Sequence, residues 1–264
     1  MPISPSLHSV SLPPTARFSD VVENYAKYRP HYPSNIVAFL KQECGLHSKA
    51  RVADIGSGTG LLTQLLLDHQ YKVFGVEPNL KMRKKSEELL SHYSNFTSID
   101  GTAEMTTLST HSVDCVTAAT AFHWFDKEKT RVEFSRILRP DGFCVLIWNL
   151  RIVEASPLME KYESLLNQYG TDYKEISPQK IDEKGIGKFF RPITVKVASF
   201  PNQQRLDKNG FLGRLLSVSS MIKPDHPQYE AMIQAAKDLF DEHQENGYVD
   251  FIYSTKCYYG PMKI

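Results

Sequence analysis

The chain has 264 residues, 41% hydrophobic, 23% charged and 11% aromatic, a composition that excludes wholesale disorder, collagen and coiled-coil architectures. Thirty-one Lys and Arg against thirty Asp and Glu leave a formal charge of +1, which argues against an obligatory nucleic-acid or anionic-membrane surface. Length alone allows one large domain or two small ones.

In chain order, residues 1–16 carry Pro2, Pro5, Pro13 and Pro14 among serines and are expected to form a mobile arm. Val21, Val22, Tyr25 and Tyr28 share one helical face, ended by Pro30 and Pro33, and a second helix is expected over Ser34 to Leu40. From Arg51 the pattern becomes regular: a β run Val52 to Ile55, a glycine turn, an apolar helix Leu61 to Leu67, and a β run Lys72 to Val76. Helix Leu80 to Leu90, strands Phe96 to Ile99 and Val113 to Ala118, helix Lys127 to Leu138 and strand Phe143 to Trp148 follow, with Asp141-Gly142 as the turn before the last. Strands separated by helices predict an α/β fold, a doubly wound and mainly parallel sheet.

After Asn149 the rhythm changes to a helix over Leu158 to Tyr169, a polar stretch with Gly185 and Gly187, and a strand over Ile193 to Val197. Helices Phe211 to Ser217 and Tyr229 to His243 and a strand Val249 to Tyr253 complete the chain. A single domain is expected, with residues 1–45 as arm and lid, 46–150 as the ligand-binding core, and 151–264 as a helical cover with closing strands. The segment Ile152 to Lys188 stands where a cover over a substrate pocket would sit.

Cys44, Cys115, Cys144 and Cys257 are far apart and form no CxxC pair, so reduced thiols are expected and no metal site. No stretch reaches the roughly 18 apolar residues that cross a bilayer, and a cytoplasmic setting is expected.

The strongest chemical signal is Asp54-Ile55-Gly56-Ser57-Gly58-Thr59-Gly60, where the first strand gives way to a helix. Glycines there let the backbone approach a ligand beside free helix-terminal amides. The spacing is GxGxG, with Leu61 where a dinucleotide fingerprint needs its third glycine. Asp54 has the wrong sign for a pyrophosphate and suits an ammonium or a sulfonium. Glu77 closes the second strand about twenty residues past the turn, where a carboxylate accepts both hydroxyls of a ribose. Together these residues select an adenosyl ligand without phosphate.

With Glu77-Pro78, Gly101-Thr102-Ala103-Glu104, Ala121-Phe122-His123-Trp124-Phe125, Arg139-Pro140-Asp141-Gly142 and Tyr25-Ala26-Lys27-Tyr28-Arg29-Pro30, the sequence resembles the class I S-adenosylmethionine-dependent methyltransferases. The resemblance is to their type 11 small-molecule branch, which includes trans-aconitate methyltransferase-like proteins. It implies a Rossmann-like methyltransferase fold with S-adenosylmethionine as cofactor. Gly56, Ser57, Gly58 and Gly60 would contact the methionine part with Asp54 nearby; Glu77 and Pro78 would hold the ribose; Thr102, Ala103 and Glu104 would edge the adenine. Ala119 joins this set at the end of the fourth strand. Arg-Pro-Asp-Gly stands where many relatives have Lys-Pro-Gly-Gly. Tyr25, Tyr28 and Arg29 are read as a lid, with Arg29 on the cofactor carboxylate, or as plain helix packing. His123, beside Trp124, is a candidate base at the transferable methyl or a satisfied loop histidine.

No Asn-Pro-Pro-Tyr, Asp-Pro-Pro-Tyr or Pro-Cys segment is present, which argues against methylation of nucleic-acid bases. The run Lys81, Arg83, Lys84, Lys85 is backed by Glu87 and Glu88 and reads as a solvated face. The expected activity is methyl transfer to a small molecule, with no nucleic-acid, membrane or obligatory protein partner. The alternatives are a cofactor-binding regulatory protein without turnover and a nicotinamide-dependent oxidoreductase.

Overall fold

The structure, a computed structural model, describes residues 17–177 and 181–262; the expected N-terminal arm lies outside them. Seven strands form one sheet: β1 (Arg51–Ile55), β2 (Lys72–Val76), β3 (Phe96–Ile99), β4 (Val113–Ala119), β5 (Leu138–Arg151), β6 (Lys196–Leu206) and β7 (Val249–Pro261). Their order is β3-β2-β1-β4-β5-β7-β6. The first five are parallel, and β7 runs antiparallel between β5 and β6. The order reverses between β1 and β4, which opens a crevice beyond their carboxyl ends.

The helices are α1 (Val22–Tyr28), α2 (Asn35–Glu43), α3 (Leu61–Asp68), α4 (Leu80–Leu89), α5 (Lys127–Ile137), α6 (Pro157–Tyr169), α7 (Tyr173–Ile176), α8 (Glu183–Phe190), α9 (Lys208–Leu216) and α10 (Tyr229–His243). Alternate residues of a strand face opposite sides, and the two faces of the sheet bury different helices. Ala53, Ile55, Val116, Leu146 and Trp148 pack with Phe134 and Ile137 of α5 and with Ile186, Phe189 and Phe190 of α8. Val52, Val73, Cys115, Val145 and Ile147 pack with α2 and α3 through Ile36, Leu40, Leu62 and Leu66. Beside the sheet, α6, α9 and α10 enclose a third cluster with Phe251 and Tyr253 of β7.

Four expectations change. Gly185 and Gly187 sit inside α8, not in an irregular stretch; Asp182 caps that helix by accepting from the amide of Gly185, and Ile186, Phe189 and Phe190 bury its apolar face. The strand expected over Ile193 to Val197 begins at Lys196 and runs to Leu206. It tolerates Pro201 because β6 is an edge with one unpaired side. Strand β7 continues eight residues past Tyr253, pairing with both β5 and β6. The late strands therefore extend the one sheet. Asp141-Gly142 does not end the element before β5: the register steps from Val113↔Leu138 to Cys115↔Phe143, so Arg139 to Gly142 loop out as a bulge within the strand.

All four cysteines are free and buried. Among the described residues, no helix is long and apolar enough to cross a membrane.

Candidate active site

The turn between β1 and α3 holds Gly56 and Gly58 in the left-handed region, at φ 66° and 58°, where side chains are strained. The amides of Gly56 and Ser57 donate to the Val76 carbonyl at 2.8 and 3.2 Å, tying the turn to the end of β2. A Cβ on Gly56 would stand 2.7 Å from the Ala121 Cβ, so this glycine lets the loop after β4 close over the turn. At Gly58 a Cβ would meet only the Met82 Cε at 3.6 Å, and the glycine lies on a cavity wall.

Glu77 sits at the end of β2 and is 8% exposed. Its Oε2 accepts from the Gly58 amide at 2.9 Å and its Oε1 from the Asn79 amide at 2.8 Å. Burial raises its carboxyl above the ordinary range, and the two backbone donors pull the other way. Each oxygen keeps a second lone pair for a ligand hydroxyl.

The cavity at this edge encloses about 840 Å³, its open mouth included. Of the residues expected to bind cofactor, Tyr25, Gly56, Gly58, Glu77, Pro78, Thr102, Ala103, Glu104 and Ala119 line it. Glu104 is fixed by accepting from the Asp126 amide at 2.9 Å. Phe18, Met82, Thr120, Ala121 and Phe125 complete the wall without having been singled out, and Trp124, read with His123 at the methyl end, joins them. Ala121 and Phe125 belong to the quoted aromatic segment; Phe18 and Met82 carry no signal beyond ordinary packing.

Asp54, Ser57 and Gly60 stand behind this wall. The Asp54 carboxylate accepts from the Thr63 hydroxyl at 2.7 Å and the Thr117 hydroxyl at 2.9 Å and is 1% exposed. Burial pushes its pKa up to about 6 against those hydrogen bonds. Gly60 precedes α3 and donates to the Ser57 carbonyl at 2.9 Å.

Arg29 and His123 line a second cavity of about 510 Å³, which shares Phe18, Tyr25, Thr120 and Trp124 with the first. Arg29 is stacked 4.8 Å over the Tyr25 ring and donates to the Ser217 carbonyl at 2.9 Å. Its buried Nε has no hydrogen-bond partner, nor has the buried Ser220 hydroxyl on the same cavity. Burial, with Arg214 next, lowers the Arg29 pKa to about 10. Arg151 also lines this cavity and donates to Glu163 at 2.7 Å. His123 borders the second cavity while the residue as a whole stays solvent-exposed, and the partial loss of solvation on the cavity side lowers its pKa. No Asp or Glu lines the second cavity among the described residues.

The first cavity carries Glu77 and Glu104 and, among the described residues, no Lys or Arg. A pyrophosphate would meet the carboxylates of Glu77 and Glu104 with no side-chain cation on the described wall to offset them, whereas a ribose would have Glu77 as acceptor. The residues present therefore fit an adenosyl ligand lacking phosphate. Among the described residues, no three His, Cys, Asp or Glu side chains group as metal ligands would.

Residues 53–146 match the family of methyltransferase domains. An uncharacterized methyltransferase of Schizosaccharomyces pombe is 31% identical over 152 residues, 57% of this chain and 59% of that protein. The chain spans between 52% and 59% of the length of the first curated relatives it matches. Among solved structures, one described as a type II methyltransferase from Anaeromyxobacter dehalogenans superposes with a TM-score of 0.64 at 20% identity, over 89% of this chain and 98% of that one. An S-adenosylmethionine-dependent methyltransferase from Geobacter sulfurreducens, solved with S-adenosyl-L-homocysteine, gives 0.53 at 15% identity over 96% and 99%. The fold is that of the Rossmann-like S-adenosylmethionine-dependent methyltransferases. Residues 53–146 are thus similar to a methyltransferase domain, and the Geobacter neighbour of the same fold was solved with the demethylated product of S-adenosylmethionine.

Proposed function

We propose that the chain transfers a methyl group from S-adenosylmethionine to a small anionic acceptor held in the second cavity. The observation that carries this reading is the wall the two cavities share, Phe18, Tyr25, Thr120 and Trp124. When bound, the cofactor supplies an electrophilic methyl on a sulfonium. The protein's part is to align a nucleophile with it at roughly 3 to 3.5 Å and to exclude water.

In this reading Gly56 and Gly58 give the backbone room beside the methionine part, while Asp54, Ser57 and Gly60 shape the turn from behind. Glu77, with Pro78, takes the ribose, and Thr102, Ala103 and Glu104 edge the adenine. Arg29 faces the acceptor cavity and not the cofactor's carboxylate. A guanidinium with a buried unpartnered Nε, on the same cavity as the Ser220 hydroxyl and with no acid on the wall among the described residues, favours an anion. His123 is a weak base at a pKa of about 4, which suits an acceptor whose nucleophile needs no proton removed. Lid, core and cover act as one domain, because strands from the cover complete the core's sheet. The near-neutral chain acts in the cytoplasm without nucleic acid, membrane or an obligatory protein partner.

The test is methyl transfer from labelled S-adenosylmethionine to a panel of small acids and their uncharged amides. Label in an acid and in none of the amides supports the reading. Saturable S-adenosylhomocysteine binding with no transfer to any member would replace it with a regulatory protein that holds the cofactor without turnover.

A further inference from the structure

Helix α1 places Tyr25 in the wall common to both cavities, yet its own seat lies elsewhere, on the cover. The Tyr28 ring rests on Gly213 of α9 so closely that a Cβ there would stand 2.1 Å from the Tyr28 Cδ2 and 2.2 Å from its Cε2. Two hydrogen bonds fix the same end of α1. The Gln204 side-chain amide on β6 donates to the Tyr28 carbonyl at 3.0 Å, and Arg29 donates to the Ser217 carbonyl just past α9 at 2.9 Å. Looser contacts join these fixings from behind: the Tyr253 hydroxyl donates to the Gln204 side-chain oxygen at 3.3 Å, and Arg214 Nε donates to the Tyr253 oxygen at 3.4 Å.

Gly213 is buried inside a helix, where glycine is intrinsically worse than alanine by about 1 kcal/mol. Helix stability does not account for it. The contact with Tyr28 does, since no other residue lets the ring approach the helix backbone. Neither Gly213, Gln204 nor Arg214 lines either cavity.

We infer that Gly213 is a positioning residue: by seating Tyr28 it sets where Tyr25 stands in the wall between cofactor and acceptor and where Arg29 stands in the second cavity. The inference rests on the methyl-transfer reading for its effect on ligands, but the seat itself is a property of the free protein. Packed interiors transmit displacements of this size because they have no slack to absorb them, and a shift of about 1 Å at a positioning group can cost a hundredfold in rate.

The experiment compares the full chain with Gly213→Ala by calorimetric titration with S-adenosylhomocysteine, hydrogen exchange over residues 22–29 and thermal melting. Gly213→Ala is expected to raise the dissociation constant about tenfold or more and to speed exchange in residues 22–29. The clash should also lower the melting temperature, so affinity and exchange are read well below it, on folded protein. Tyr28→Ala added to Gly213→Ala should cost no further affinity than Tyr28→Ala alone, because the clash is then gone. Unchanged affinity and unchanged protection of residues 22–29 in Gly213→Ala would overturn the inference. If Gly213→Ala does not fold, Gln204→Ala on the edge strand carries the same expectation and the same overturning result. A parent chain that fails to bind S-adenosylhomocysteine would instead defeat the methyl-transfer reading, and exchange over residues 22–29 would still decide the seat.

Discussion

The amide of Gly58 donates to Glu77 Oε2 at 2.9 Å, joining the glycine turn after β1 to the acid at the end of β2. One hydrogen bond thus fixes the glycine expected beside the methionine part and the acid expected on the ribose before any ligand arrives. Such preorganisation lowers the ordering cost of binding. Glu77→Gln places an NH₂ against one of the two backbone donors and removes a charged acceptor. Hydrogen bonds to charged groups contribute about 1.5 to 3 kcal/mol, so S-adenosylhomocysteine affinity should fall roughly tenfold to a hundredfold. Calorimetry on the folded variant checks this, and parental affinity would contradict it.

Gly58→Val should abolish cofactor binding, and Gly45→Val is its control. Both glycines are left-handed, at φ 58° and 64°, so both variants pay a backbone penalty. Only Gly58 lines the cofactor cavity; a Cβ on Gly45 meets nothing within 4 Å. Equal destabilisation of the two with binding lost in one alone is the expected result from paired urea melts and titrations.

Asp54 gives the stability of the chain a definite pH signature. Its folded-state pKa of about 6 lies above the ordinary 3.8. Between those values the folded state holds the proton and the unfolded state has released it. Stability therefore falls as pH rises through this window and stays reduced above it. Relative to Asp54→Asn, the parent should lose about 2 kcal/mol between pH 4 and pH 7. Parallel denaturation profiles for the two proteins would show that the buried carboxyl does not titrate in this window.

His123 should contribute no ionisation to the rate profile between pH 5 and pH 8. Desolvation on the cavity side lowers its pKa, although the residue is otherwise exposed, and makes the imidazole a poorer base in that range. His123→Gln should lower kcat by less than about tenfold, below the range ordinary for a general base. A limb near pH 6.5 that vanishes in the variant would restore His123 as the base.

Much of the core was legible because parallel strands buried on both faces are short, mostly apolar runs, as in Val73 to Val76 and, with Asp54 as the exception, Val52 to Ile55. The cofactor-facing turn was legible for a related reason: positive φ at Gly56 and Gly58 demands a residue type that shows in the sequence. Strand β6 was not, since Pro201 and the polar Asn202 to Gln204 argue against a strand until its edge position is known. Helix α8 hid behind Gly185 and Gly187, though Asp182 followed by Ile186, Phe189 and Phe190 carried a cap and an apolar face. The second cavity lay furthest from view. It gathers Phe18, Arg29, His123, Arg151, Tyr173 and Ser220 from segments up to two hundred residues apart, and no local pattern encodes their meeting. The Ser217 carbonyl that holds Arg29 was equally out of view, being 188 residues away.

The central claim is that the first cavity, lined by two acids and by no Lys or Arg among the described residues, holds an adenosyl ligand without phosphate. Calorimetric titration of one preparation with S-adenosylhomocysteine and with NAD tests it most directly. The account predicts saturable, stoichiometric binding of S-adenosylhomocysteine and none of NAD; binding of NAD with no response to S-adenosylhomocysteine would contradict it.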